Sequence, residues 1–337
     1  GVMAGVTAVQ PIFAGGQILN GNKLAKVNAS VKSEQLRLSE DEAVLTVEQY
    51  YWQWVSLKEK LKTLDVVGRQ IDTIRRDVST AVDAGVAMQN DLLQVELERN
   101  RISANRLKVN NGLSVVKMLL AQAIELPADS FDIAVSVPED LPDPNIYKVD
   151  HQAALQITPT YRMLQKGVEA SKLQRNMELG KRLPTIGIGA GYMYYDLPDQ
   201  HSISVIENRR SMGMVFASIA IPLSDWWGGT HAIRQKNVQL KIAEESKRSN
   251  SELLLVQMQQ LWNELVEAYD QAKISKESVA KATENARIST NCYHAGTVAI
   301  SDLLNAQSLL QQSRDQYTDD LTTYFIKRTR YLQATGR

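Results

Sequence analysis

The chain of 337 residues is long enough for two or three compact domains, and its 38 basic and 38 acidic side chains balance. No basic run is interleaved with aromatics, which argues against nucleic acid as a partner, and the single Cys292 excludes an internal disulfide. Phe is scarce while Ala, Leu, Val, Gln, Glu, Lys and Arg dominate, the composition of long packed helices, and no apolar run of about 18 residues exists to span a membrane as a helix.

The opening stretch, Gly1 to Pro11, alternates loosely as a strand does and begins abruptly with no leader, so it reads as a shortened reading frame. It ends in Pro11-Ile12-Phe13-Ala14-Gly15-Gly16. A proline cannot donate to a ladder and a glycine pair permits a sharp change of direction, so Pro11, Gly15 and Gly16 are the expected breaker between strand and helix. From Gln17 to about Val82 there is no proline. The seam Trp54, Leu57, Leu61, Leu64, Val67, Ile71, Ile74, Val78 and Ala81 keeps helical spacing. That is one helix of about 65 residues, roughly 100 Å long at 1.5 Å per residue. Such a rod needs its stripe covered, and cover from sibling chains around a hollow axis is expected. Ala84-Gly85 then makes a turn, with Asp91 near the start of a returning helix whose Val95, Ile102, Val109 and Val116 recur every seven residues.

Residues 127–149 carry four prolines and read as an irregular linker. A helix follows, broken near Thr158-Pro159 and running to about Lys181. Pro184 to Asp196 alternates strictly, with Ile186, Ile188, Ala190, Tyr192 and Tyr194 on one face and Thr185, Gly187, Gly189, Gly191 and Met193 on the other. A second strand is expected over Ser211 to Ile221. Strands of this length cross a bilayer when tilted, and Tyr near a strand end suits the membrane interface. A two-stranded hairpin has open edges, so other chains must complete it in lipid. Pro222, Gly228 and Gly229 repeat the breaker with two extra residues, and a second long helix runs from about Thr230 to Asn291 along Leu261, Leu265, Ala268, Ala272, Val279, Ala282 and Ala286. Ala295-Gly296 turns it. The last helix carries Leu303, Leu310, Tyr317, Tyr324 and Tyr331 at seven-residue steps.

Ala84-Gly85, five residues, Asp91-Leu92-Leu93 is spelled again at Ala295-Gly296, five residues, Asp302-Leu303-Leu304, about 211 positions later. Trp52 and Trp262 stand at similar distances from their glycine pairs. The chain is a duplication. The fold class is mainly α with a few strands: two long antiparallel helical hairpins of coiled-coil type plus strands for a shared barrel. Expected boundaries are 1–126 for the first repeat, 127–183 for linker and broken helix, 184–222 for the membrane hairpin and 223–337 for the second repeat.

In this order and doubling, the strand and hairpin units, the Pro/Gly-Gly breakers and the twin Ala-Gly/Asp-Leu-Leu turns resemble the TolC-type outer membrane efflux protein family, from Val2 to Gly336. The resemblance implies a homotrimer in the outer membrane and periplasm of a Gram-negative bacterium. Its protomers share one lipid-embedded β-barrel and one α-helical tunnel, with a periplasmic adaptor and an inner-membrane pump as partners, and no cofactor or enzymatic activity. Relatives carry two strands per repeat, so three strands are expected to leave the ring short. The resemblance makes Gly85-Val86 and Gly296-Thr297 the tip that meets the adaptor; each glycine is equally readable as a plain helix-turn glycine. It makes Asp302 and Asn305, three apart on one helix face, the pore constriction, with Asp302 as an N-terminal helix charge the alternative. Three copies of Asp302 around an axis would favour cations. It also pairs Asp91 with Tyr293 in a hydrogen bond holding the tip, with Val298 where some relatives have an Arg.

Cys292 and His294 could suggest a metal, but neighbouring helix positions point about 100° apart and no further Cys or His lies close in sequence, so no metal site is expected. The Met residues read as scattered packing residues, and Trp226-Trp227 as an interface or corner pair. No catalytic constellation emerges. The rival from another class is a soluble coiled-coil scaffold, which explains the heptads but neither the Tyr-rich strand pair nor the breakers; detergent dependence separates the two.

Overall fold

The computed structural model describes residues 2–135, 138, 140–196, 209–223 and 229–337. In chain order these form β1 (Val2–Ala14), α1 (Gln17–Asp83), α2 (Gln89–Ala123), a 3-10 turn (Pro144–Tyr147), α3 (His151–Leu155), α4 (Pro159–Gly180), β2 (Thr185–Asp196), β3 (Arg209–Ala220), α5 (Thr230–His294) and α6 (Ile300–Ala334). Among the described residues, no helix is long and apolar enough to cross a membrane. Two compact units result, residues 1–36 with 159–253 and residues 37–158 with 254–337, so each draws on both repeats.

The first unit holds an antiparallel sheet of order β1-β2-β3. Directly opposed residues share a face, so Val6, Tyr192 and Gly213 stand together, as do Ala8, Ala190 and Val215. This face is apolar and open: Val6, Val215 and Ile219 are largely exposed. The other face is low over β2 because Gly187, Gly189 and Gly191 lie there. A Cβ on Gly189 would meet the Phe216 ring at 2.3 Å, so the glycine exists to let that ring lie across the strand.

One expected breaker is corrected. β1 does not stop at Pro11; it pairs on through Ala14, with the ladder slipping between Pro11 and Phe13. β1 is an edge strand here, where a missing N–H is tolerated. The turn is made instead by Gly15 and Gly16, at φ +59° and +75°. Gly15 also lies against the end of α4, where a Cβ would fall 2.0 Å from the Gly180 carbonyl oxygen. The Gly16 carbonyl then accepts the Asn20 N–H at 2.9 Å, and the Gly229 carbonyl accepts the Ile233 N–H at 3.2 Å, so the equivalent glycines cap α1 and α5 alike. Pro222 follows the end of β3, and Gly228, Trp226 and Trp227 lie outside the described residues.

The second unit is built from four long helices, the short α3 and the linker. A second correction concerns the stripes: they are covered within the chain. Ile71, Val78, Val95 and Leu303 are fully buried in one cluster joining α1, α2 and α6. Higher on the same helices, Trp54 packs with Leu113, Val116 and Leu120. A third cluster gathers Trp52, Trp262, Leu265, Tyr324, Phe325 and Tyr331, with Trp52 stacked on Phe325 at 4.1 Å. The linker closes over it through side-chain hydroxyls. Tyr324 donates to the Pro142 carbonyl at 2.5 Å, and the Tyr331 oxygen accepts the Val149 N–H at 3.3 Å and lies 3.1 Å from His151 Nε2. Ion pairs add cross-links between rods, Asp319 to Lys60 at 2.7 Å and Asp65 to Arg106 at 3.1 Å. Being partly exposed, each contributes about 0–1 kcal/mol.

Candidate functional site at the two helix-turn tips

Both tips end a long helix in the same way. At the first, Gly85 has φ +74°, its N–H donates to the Val82 carbonyl and the Val86 N–H to the Ala81 carbonyl, both at 2.9 Å. At the second, Gly296 has φ +70°, its N–H donates to the Tyr293 carbonyl and the Thr297 N–H to the Cys292 carbonyl, again at 2.9 Å. These paired bonds satisfy carbonyls the helix end would leave bare, and the left-handed residue they need is cheapest as glycine. Nothing stands within 4 Å of a Cβ on either glycine, so only the backbone angle demands it. Thr297 Oγ1 adds a third bond to the Cys292 carbonyl at 2.9 Å, which the first tip, with Val86, lacks.

The tips lie side by side. Val82 and Leu92 of the first and Tyr293 and Leu304 of the second pack on the single cluster that holds Ile74, Val78, Val95, Ile300 and Leu303. What faces outward is apolar at the first tip, where Val86 and Met88 are 80% and 74% exposed. Gly296 and Thr297 are exposed at the second.

The two aspartates of the repeated motif behave differently. Asp91 turns back: its Oδ2 accepts the Met88 N–H at 3.2 Å while its own N–H donates to the Met88 carbonyl at 3.0 Å, a local cap on α2. The expected Asp91–Tyr293 hydrogen bond is not among the bonds these two side chains make, and Asp91 bonds on its own helix. The two are still electrostatic neighbours. Burial first, then the negative charges of Asp91 and Asp77, push the Tyr293 phenol above its ordinary value. Asp302 occupies the matching position on α6 but makes no side-chain bond to its own helix end, where Ala299 is the cap. Asp302 and Asn305 are both exposed and lie on one face of α6, and neither side chain bonds to another described residue.

Cys292 is half-buried, His294 is exposed, and the Tyr293 and His294 rings lie 6.0 Å apart. Among the described residues, no group of three or more His, Cys, Asp or Glu is placed to hold a metal. The tyrosine clamp on the linker is missed by sequence reasoning, because heptad spacing marks Tyr324 and Tyr331 as seam residues and is silent on their hydroxyls.

The family model described as outer membrane efflux protein matches residues 151–337, more than half of the chain. No curated protein matches the sequence. Among solved structures, the outer-membrane channel OprN is similar at 13% identity and TM-score 0.80, over 99% of this chain and 81% of its own. CusC is similar at 16% and 0.81, over 99% and 77%. The Campylobacter jejuni CmeC outer membrane channel is similar at 10% and 0.79, over 99% and 77%. Identities this low establish the shared fold: duplicated helical hairpins with a small sheet. With more than half of its length matched by the family model, the chain belongs to the outer membrane efflux protein family, whose members are channels of the outer membrane and periplasm of Gram-negative bacteria and not enzymes.

Proposed function

We propose that the chain is the channel subunit of a tripartite export assembly. Three copies line one conduit, with the apolar sheet face toward outer-membrane lipid and the tips toward a periplasmic adaptor that couples to an inner-membrane pump. The observation that carries the reading is the pair of tips on one core, with Asp302 and Asn305 exposed together and unbonded on the last helix. An exposed carboxylate not used as a cap is available to a pore. Three symmetry copies would form a ring of negative charge, while Asn305 adds a polar but uncharged ring beside it. The exposed Val86 and Met88 give the first tip an apolar surface suited to an adaptor's helical hairpin. The aperture widens when the tips part, a local shift at the cluster under Tyr293. The sheet hairpin 184–222 is the membrane segment, the stretches 1–126, whose strand β1 joins that sheet, and 223–337 are the two repeats, and 127–183 is the girdle between them.

The test is conductance of the purified protein in a planar bilayer. Asp302→Asn is expected to reduce cation selectivity and weaken block by a trivalent cation at least tenfold, while Asn305→Asp deepens both. Selectivity and block unchanged in both variants would remove Asp302 and Asn305 from the constriction.

A further inference from the structure

One junction between the repeats is a clamp of three side chains in the second unit. Ser56 and Lys60, one turn apart on α1, hold Asp319 of α6: the serine hydroxyl donates to Oδ1 at 3.0 Å and the ammonium to Oδ2 at 2.7 Å. The duplication offset of 211 carries Ser56 to Glu267 and Lys60 to Gln271 on α5, and carries Asp319 back to Lys108 on α2. The carboxylate has become an ammonium, and the basic grip an acidic one. Glu267 and Lys108 are both exposed, and neither bonds to another described residue. Resting on the reading that copies of the chain ring one conduit, we propose that the α5 face around Glu267 docks α2 of a second copy. A Glu267–Lys108 pair joins the two, repeating the internal clamp with its polarity reversed.

The chemistry of the α5 face fits a cation. Glu267 and Gln271 border a cavity that Glu264 and Asp320 also line, and the one base beside them, Lys327, is paired with Glu264. Asp320 is 9% exposed; its Oδ1 accepts the Gln316 amide at 2.8 Å, while its Oδ2 is buried without a hydrogen bond. A buried carboxylate oxygen in that state calls for a donor. The first repeat has Val109 where the second has Asp320, and there the corresponding place is taken by Asp319 from within the chain. The flanks match as well. Val256 and Ile274 are exposed on the same stripe of α5 as Glu267, and Val115 and Met118 on the same stripe of α2 as Lys108. Reversed polarity also guards the order of the copies. Setting α5 against another copy's α6 would bring Glu267 to Asp319, and setting α1 against another copy's α2 would bring Lys60 to Lys108, like charges in both cases.

The test is assembly of the full chain in detergent, read by native mass spectrometry over a dilution series. Glu267→Lys and Lys108→Glu are each expected to raise the concentration at which copies separate by about tenfold or more, and the two together to return it to within about threefold of the parent. Neither side chain holds anything within the chain, so the circular dichroism of each variant is expected to match the parent, which separates a lost contact from a lost fold. In parallel, a zero-length carbodiimide, which joins a carboxylate to an amine in contact with it, is expected to link Glu267 of one copy to Lys108 of another in a mixture of isotope-labelled and unlabelled chains. Assembly unchanged in both single variants, or a double variant as weak as either, overturns the pair and leaves the conduit reading standing. A parent that stays a single copy at every concentration overturns both.

Discussion

The returning helices α2 and α6 are copies of one another, and their differences lie on the seam. Leu113 and Tyr324 stand 211 positions apart, as do Leu120 and Tyr331. In the first copy the leucines pack on Trp54, and the linker meets them through the apolar side chains of Phe131, Ile133 and Val135. In the second the tyrosine rings fill the same kind of seam beside Trp262 and Leu265, and their hydroxyls reach past it to the Pro142 carbonyl and the Val149 N–H. Buried Tyr combines apolar area with a polar end that must find a partner. The ring hydroxyls thus add polar anchors for the linker where the first copy has only apolar contact, with the heptad unchanged.

The largest effect is expected where that conversion is undone. Tyr331→Ala should cost about 3–5 kcal/mol of unfolding free energy, as loss of a buried aromatic does, and Leu120→Ala about 2–5. The sharper contrast is Tyr324→Phe, which keeps the ring and leaves the Pro142 carbonyl without its donor for about 1–2 kcal/mol. Denaturant unfolding reads all three. If Tyr324→Phe were silent while Tyr331→Ala cost no more than Leu120→Ala, the hydroxyls would not distinguish the copies.

A second contrast lies further down the same helix. Asp315 of α6 corresponds to Ala104 of α2. Burial raises the Asp315 pKa, against the attraction of Lys60 and with the repulsion of Asp319, and its Oδ1 is buried without a hydrogen bond. The folded chain therefore holds this proton more tightly than the unfolded one. Its contribution to stability is complete below the unfolded carboxylate range, near about pH 3.9, and is lost as pH rises through the raised value. Asp315→Asn cannot ionise, so it should be more stable than the parent at neutral pH and lose that advantage at acid pH. Thermal unfolding across pH checks it, and a gap that widened on acidification would reverse the assignment.

The ends of the two helices differ by a single side chain. Gly336 at φ +77° closes α6, its N–H donating to the Gln333 carbonyl at 3.0 Å and the Arg337 N–H to the Leu332 carbonyl at 2.9 Å. Glu125, 211 positions earlier, makes the same turn at φ +55°, with Leu126 N–H on the Ala121 carbonyl at 3.0 Å. A side chain in the left-handed region costs about 1–2 kcal/mol. Glu125→Gly should recover about 1 kcal/mol of it, and Gly336→Ala should lose stability, its Cβ also falling 3.1 Å from Ile157. Equal melting temperatures for parent and Glu125→Gly would mean that the turn carries no strain.

The helices were legible because their signal is dense: the three- and four-residue spacing from Trp54 to Val78 survives in buried residues, and both turn glycines have the backbone angle that their place after a long helix implies. Helix ends came out one to three residues long, at Asp83 and His294, because the paired bonds of the turn extend the hydrogen-bonded spiral up to the glycine. Pro11 misled because a proline ends a strand only where its N–H is needed, and edge position is a property of the sheet. Periodicity says that a seam is buried and not by whom, so the cover that α1, α2 and α6 give one another is not legible in the sequence.

The smallest effect separates the two tips. An identical spelling left both aspartates readable as helix-end charges, yet only Asp91 closes back on its own helix, accepting the Met88 N–H. Asp91→Ala should cost about 1 kcal/mol, the usual loss for a cap. Asp302→Ala removes an exposed carboxylate with no side-chain bond, so its effect on unfolding should stay within about 0.5 kcal/mol. The pair is informative because composition, helix position and sequence context are matched. Equal losses would mean that both residues serve the helix ends. A loss confined to Asp91 means that the second carboxylate is kept for something other than stability, as a charge facing an aperture would be.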